Sequence, residues 1–202
     1  FNNEGDFKFA TASGSWENNY KATQPDAPYT DTSVEFVKGF DPDNKWRLKT
    51  AELGKAYKIC LDIRSGKERM MMREFTPYAG MWLVGDAAPG GWSLDVAEPM
   101  TQDPSNPYVM TWTGTLNTGE LKFTCDKKSD WMGAWFMPAV NGTAPTGQEE
   151  KMLFIDKSDD NLKAQYLEVE INNVDNKWKI AEAGTYKITL NQLTETITIV
   201  KQ

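Results

Sequence analysis

The chain has 202 residues, 40% of them hydrophobic, with a formal net charge of −7 and no histidine. That acidic balance excludes the basic stripe nucleic acid requires, and no apolar run approaches the ~18 residues of a membrane-spanning helix. The missing histidine removes the usual general base and the commonest metal ligand.

Taken in order, Gly5-Asp6-Phe7-Lys8-Phe9 reads as a short strand leading through a polar loop to Trp16 and Tyr20. Thr32 to Val37 is strand-like, and Pro42-Asp43-Asn44 is a turn. Ala56 to Ile63 and Arg69 to Phe75 flank the polar Arg64 to Glu68, which predicts a hairpin. Pro77 to Gly80 reads as a linker. Beyond it, Met81 to Gly85 has a buried-strand pattern, and Asp86 to Gly91 forms a Pro/Gly loop ending at Trp92. Tyr108 to Leu116 alternates, with Met110 and Trp112 on one face and threonines opposite. Leu121 to Phe123 and Trp135 to Met137 are further strands, followed by a surface loop over 138–150 and a strand at Met152 to Ile155. Gln165 to Glu170 alternates again. The chain closes in a hairpin, Thr185 to Leu190 and Thr196 to Val200. No segment sustains a 3.6-residue period, so short strands at regular spacing predict an all-β chain of tandem immunoglobulin-like β-sandwiches.

The tandem arrangement comes from an internal repeat. Gly119-Glu120-Leu121-Lys122-Phe123, then Trp131 and Trp135, restates Gly5 to Phe9, then Trp16 and Tyr20; the glycines lie 114 residues apart and the tryptophans 115. Asp43-Asn44-Lys45-Trp46 returns as Asp175-Asn176-Lys177-Trp178, now 132 residues apart. Such a period is too long for a solenoid, so the repeated unit is a whole domain. The expected domains are residues 1–77 and 78–202. The second unit has about 40 residues before Gly119 where four precede Gly5, so the first is expected to be N-terminally incomplete.

Chemistry is sparse. None of the 29 carboxylates sits in a recognisable catalytic context, and sequence spacing cannot set the opposed pair a glycosidase needs. Asp156, Asp159 and Asp160 lack the glycine and terminal glutamate of a calcium loop. Gly85 to Gly91 precedes no helix, so it is not a phosphate loop. Cys60 and Cys125 fall at unmatched positions of the repeat and read as free thiols. No cofactor, metal or catalytic residue is expected.

The tryptophans are informative. Trp82 and Trp112 lie inside strands and are expected in the core; Trp46 and Trp178 hold equivalent turn-to-strand positions, which favours packing. Trp92 and Trp131 each follow a polar loop and are expected at the surface, where a flat indole stacks on the apolar face of a sugar ring. Trp135 fits either role.

Met-Trp-Leu-Val-Gly-Asp-Ala-Ala-Pro-Gly-Gly-Trp (81–92), the Thr111-Trp112-Thr113-Gly114 strand, Gly119 to Phe123, and Trp131-Met132-Gly133 resemble the tandem starch-binding modules of the SusE/SusF outer-membrane lipoproteins of Gram-negative gut bacteria. The resemblance covers 79–202 and, as the later part of a module, 1–77. It implies a starch-binding-module-like sandwich that holds polysaccharide, α-glucan by preference, without catalysis. It also implies a place at the outer-membrane surface among glycan-uptake proteins, with lipid anchoring through an N-terminal segment not in this chain. The aromatic pair of that family maps to Trp92 and Trp131, with Trp135 beside them, and to Trp16 and Tyr20 in the first unit. No motif fixes the basic partner; Lys127, Lys128 and Lys151 are candidates, with Lys21 in the first copy. A structural spacer or adhesin is the alternative, with a glycoside hydrolase third.

Overall fold

The computed structural model describes residues 1–158 and 173–202, divided into two compact units, Phe1–Thr76 and Pro77–Gln202. The alternation at 165–170, together with Asp159 and Asp160, lies outside the described residues. Those described form eighteen strands and one 3-10 turn, Thr50–Glu52. The chain is all-β.

The first unit comprises β1 (Gly5–Phe7), β2 (Phe9–Ala10), β3 (Asn18–Ala22), β4 (Ala27–Pro28), β5 (Val34–Lys38), β6 (Trp46–Leu48), β7 (Tyr57–Asp62) and β8 (Arg69–Glu74). They pair as β1-β6-β4, β2-β3-β5 and the hairpin β7-β8. The hairpin follows from two runs rich in apolar residues separated by Arg64 to Lys67, where Gly66 adopts φ +76°. Trp46 centres the core at 0% exposure. Phe7 stacks on it at 5.6 Å and Phe9 meets it edge-on at 5.7 Å. Its indole N–H donates to the carbonyl of Asp31 at 2.9 Å, satisfying the one polar atom this large ring buries.

The second unit comprises β9 (Trp82–Val84), β10 (Glu98–Pro99), β11 (Thr101–Gln102), β12 (Val109–Leu116), β13 (Gly119–Thr124), β14 (Ala134–Pro138), β15 (Glu150–Asp156), β16 (Trp178–Ile180), β17 (Gly184–Asn191) and β18 (Thr196–Lys201). Hydrogen bonding runs β10-β9-β13-β14-β15-β18-β17-β12-β11, with β16 also on β13. The corner is β15: Glu150 and Lys151 pair with β18, while Met152 to Asp156 pair with β14. A strand that changes partner this way folds one sheet into two facing layers. Met110, Trp112, Ile188, Leu190, Ile197 and Ile199 from one layer meet Leu83, Leu121, Phe123, Phe136, Phe154 and Trp178 from the other. Period-two alternation supplies this core directly, since each strand sends every second side chain inward.

The layer formed by β9, β13, β14 and β15 is buried on both faces. Its outer face carries Val84, Trp135, Met137 and Ile155, covered by Leu94, Ala97 and the partly buried Trp82, Trp92 and Trp131. Trp82 therefore packs on this outer face rather than in the main core, because Leu83 takes the inward position of β9. Trp112, Trp46 and Trp178 are buried at 8%, 0% and 0% exposure. Cys60 and Cys125 are not joined in a disulfide.

Strand register reproduces the repeat. Phe7 pairs with Trp46 and Gly5 with Leu48, as Leu121 pairs with Trp178 and Gly119 with Ile180. Phe9 faces Tyr20 and Tyr20 faces Phe36, as Phe123 faces Phe136 and Phe136 faces Phe154. By register the counterpart of Trp135 is Asn19, one residue earlier than counting from the loop tryptophan places it. Tyr20 corresponds to the core residue Phe136.

Candidate functional site

The outer face of the second unit gathers three indoles around one ammonium. Two loops deliver the rings. The first leaves β9 at Gly85, whose φ of +135° and approach to the Glu120 carbonyl leave no room for a side chain: an added Cβ would lie 2.1 Å from that oxygen. Turns closed by Ala88 N–H to the Gly85 carbonyl and Gly91 N–H to the Ala88 carbonyl then present Trp92. The second loop follows β13. Asp126 accepts from the Ala134 backbone N–H at 3.1 Å, the Trp131 N–H donates to the Lys128 carbonyl, and Trp131 takes φ +64°. A bulky aromatic in that left-handed region is costly, and such strain persists only where surrounding contacts impose it.

Trp131 lies parallel to Trp135, with centroids 5.6 Å apart and planes 3° apart, and the Trp135 indole N–H donates to the Trp131 carbonyl at 3.1 Å. Trp135 is 2% exposed and forms the floor. Trp92 stands 6.4 Å from Trp131 with planes inclined at 50°; both are half-buried.

The ammonium is that of Lys122, on β13 between the inward-facing Leu121 and Phe123. Its Nζ lies 3.9 Å from the Trp135 centroid, 5.3 Å from Trp131 and 5.7 Å from Trp92. Desolvated contacts of this kind reach about 2 kcal/mol. Asp175 holds it: Lys122 Nζ donates to one carboxylate oxygen at 2.6 Å, and Lys177 Nζ donates to the other at 2.8 Å. Lys177 also lies 5.9 Å from the Trp92 ring. Burial pushes the Lys122 pKa below 10.5, and the bond to Asp175 opposes it. Burial also raises Asp175, but its bonds from Lys122 and Lys177 outweigh that and hold it below 3.8. Burial lowers Lys157 as well, with Asp175 opposing.

Of the residues expected from sequence, Trp92, Trp131 and Trp135 come together. Lys127 lies over the Trp82 ring at 5.3 Å and donates to the Asp95 carbonyl. Lys128 is exposed and acts electrostatically on Asp156. Lys151 donates to the Thr194 carbonyl at 3.3 Å, beside β18. In the first unit Trp16 is 57% exposed. Tyr20 packs on Phe36 at 5.1 Å. Lys21 is fully buried and donates to the carbonyls of Phe40 and Pro42. Sequence reasoning missed Lys122, Asp175 and Lys177, although all three sit inside the repeated motifs.

A separate concavity of about 270 Å³ is lined by Pro145, Lys179, Tyr186 and Lys201, among others. Its Lys201 is bound to Glu182 at 2.6 Å and its Tyr186 ring is only 7% exposed, so it offers no ring face to a ligand. Among the described residues no cluster of three metal-ligating side chains occurs, and no helix is long and apolar enough to cross a membrane.

No family model matches the chain, and no curated protein matches it. Among solved structures, the crystal structure of SusF from Bacteroides thetaiotaomicron aligns with 97% of this chain at 14% identity and a TM-score of 0.39. The chain spans 46% of that protein's length.

Proposed function

We propose that the second unit is a non-catalytic polysaccharide-binding module, with α-glucan as its preferred ligand. One observation carries the reading: two half-buried indoles, 6.4 Å apart and inclined at 50°, share a single ammonium. Inclined rings suit the curved face of an α-1,4-glucan, whereas coplanar accessible rings suit a flat β-glucan. Trp92 and Trp131 supply the stacking surfaces, Trp135 supports Trp131 from below, and Lys122 and Lys177 donate to sugar hydroxyls or ring oxygens.

The affinity this arrangement supplies is modest. Each indole covers about 80–100 Å² of apolar sugar surface, giving roughly 4–5 kcal/mol for the pair at about 25 cal/mol/Å². Hydrogen bonds add about 1 kcal/mol each, and association entropy removes several. A net of about −4 to −7 kcal/mol is a Kd between roughly millimolar and ten micromolar. Weak sites of this kind serve capture at a cell surface, and the reading extends to a role at the outer membrane among other glycan-uptake proteins, a setting the sequence resemblance supports.

Affinity electrophoresis through gels containing amylopectin, a mixed-linkage β-glucan or no polysaccharide tests the reading. Retardation by amylopectin, lost in Trp92→Ala and Trp131→Ala, is the expected result. Equal mobility in all three gels refutes it.

A further inference from the structure

Lys177 is held by a stretch of chain far from it in sequence. Its backbone N–H donates to the Asn141 side-chain oxygen at 2.9 Å, and its carbonyl accepts from the Gly142 N–H at 2.8 Å. The neighbouring Asn176 side chain donates to the carbonyls of Pro138 and Ala139 at 3.0 and 3.2 Å. These side-chain bonds span 36 to 38 residues, whereas an asparagine in an ordinary turn satisfies backbone about two residues away. Two asparagines thus clasp residues 138–142 to residues 176–177. Pro138 ends β14, the strand that carries the floor ring Trp135, so the clasp ties the second ammonium of the site to the strand beneath its rings.

The first unit has the same segment without the clasp. Asn44 stands in the place of Asn176, but among the described residues its side chain makes no hydrogen bond. The Ala27 N–H donates to the Lys45 carbonyl at 3.1 Å, as Gly142 does to that of Lys177, which puts Asp26 in the place of Asn141. Asp26 lies 3.7 Å from Arg47 instead. The ion pair survives the loss: Lys45 meets Asp43 at 2.7 Å, as Lys177 meets Asp175 at 2.8 Å. What changes is where the ammonium lies. The Lys45 side chain is 32% exposed and, among the described residues, lies over no ring. That of Lys177 is 17% exposed, with its ammonium 5.9 Å from the Trp92 ring. Neither the buried tryptophan nor the ion pair needs the asparagines, and the difference that accompanies them is at the site.

We propose that Asn141 and Asn176 are positioning residues of the second unit's site, acting through Lys177 by holding its ammonium beside Trp92 to donate to a sugar hydroxyl. The proposal rests on the saccharide reading of that site. A lysine on a mobile segment must be ordered when ligand arrives. One whose backbone is bonded on both sides, and whose ammonium is bonded to Asp175, has most of that ordering supplied by the fold.

The test titrates the full chain with an α-1,4-linked glucose heptasaccharide and follows the Trp131 indole N–H resonance. Asn176→Ala and Asn141→Ala should each raise the midpoint roughly three- to tenfold, the effect of leaving one long side chain to be ordered on binding. Asn141→Asp, which keeps an acceptor for the Lys177 N–H, should bind as the native chain does. A double-mutant cycle separates aiming from general loosening. Lys177→Met raises the midpoint by itself, and adding Asn176→Ala to it should raise it no further. A native midpoint in both alanine variants overturns the proposal. So does an equal rise with and without Lys177, because the asparagines would then act on the unit as a whole. No saturable shift in the native chain overturns the saccharide reading and this proposal with it.

Discussion

Replacing Trp131 and replacing Trp178 should have opposite consequences. Trp178 is fully buried in the main core against Phe123, with centroids 5.6 Å apart, so Trp178→Ala removes a large side chain from a close-packed site and should cost about 3–5 kcal/mol. Trp131 is half-buried, and its main contact is the parallel stack on Trp135. An aromatic pair contributes about 0.5–1.5 kcal/mol beyond its area, so Trp131→Ala should cost roughly 1–2 kcal/mol of stability. Its effect on binding is larger. Losing about 80–100 Å² of stacked sugar surface removes roughly 2–2.5 kcal/mol, a rise in Kd of about 30- to 70-fold. The φ of +64° gives an internal control. Trp131→Gly should lose the same affinity yet be about 1 kcal/mol more stable than Trp131→Ala, since only glycine occupies that region freely. Thermal unfolding and calorimetric titration of the variants read both quantities. If Trp131→Ala unfolds the second unit while Trp178→Ala merely weakens binding, the two rings have been given each other's roles.

Lys122→Met should raise the Kd by roughly tenfold or more, the worth of a hydrogen bond from a charged donor. Its stability change should stay within about 1.5 kcal/mol, because Asp175 keeps Lys177 and is half-exposed; an unchanged Kd refutes the donor role. Gly85→Ala should destabilise the second unit by more than about 2 kcal/mol, since its Cβ would meet the Glu120 backbone at a φ hostile to any side chain; wild-type melting would show that the loop can shift. Asp43 is held at about 2 by hydrogen bonds from Lys45 and Lys8. Because its folded pKa is depressed, the stability it contributes is present above the unfolded value near 3.8 and is lost as pH falls towards 2. Carbon-detected titration of that carboxyl should place its midpoint near 2, and a midpoint near 4 would show the triad open. Prolonged incubation with amylopectin should release no reducing sugar; release abolished by mutating one carboxylate would make the protein an enzyme.

Much of the fold was legible because β-structure writes its period into the chain. Met110 and Trp112, alternating with Thr111 and Thr113, announce β12, and the paired placement of Trp46 and Trp178 announces two buried rings. The site was only half legible. Trp92 and Trp131 stood out because loops precede them, but Lys122 did not: a lysine alternating with Leu121 and Phe123 reads as the solvated face of a strand. It is buried because two distant loops fold back over that face, a long-range event with no local signature. Tyr20 was aligned with Trp135 by counting from the loop tryptophan. Register follows the strand pairing instead, and the stretch from the loop tryptophan into β3 is one residue shorter than that into β14, which puts Asn19 in that place.

A lysine–aspartate–lysine triad occurs in both units, Lys8 and Lys45 sharing the two oxygens of Asp43 as Lys122 and Lys177 share those of Asp175, and in the second unit it joins the core to the site. Asp43 and Asp175 each stand three residues before the buried tryptophan of their unit, and those tryptophans pair across the sheet with Phe7 and Leu121, the residues next to Lys8 and Lys122. Packing the tryptophan therefore sets the aspartate, and the aspartate sets the ammonium. A ligand then meets a donor already immobilised by the fold, which spares the ordering cost that weakens binding by flexible lysines. Were the triad only a clasp on the β13–β16 edge, Asp175→Asn would lower the melting temperature and leave the Kd alone. Were it a device for aiming Lys122, the same substitution, which keeps an acceptor for one lysine and removes the charge that fixes both, would raise the Kd more than it lowers stability.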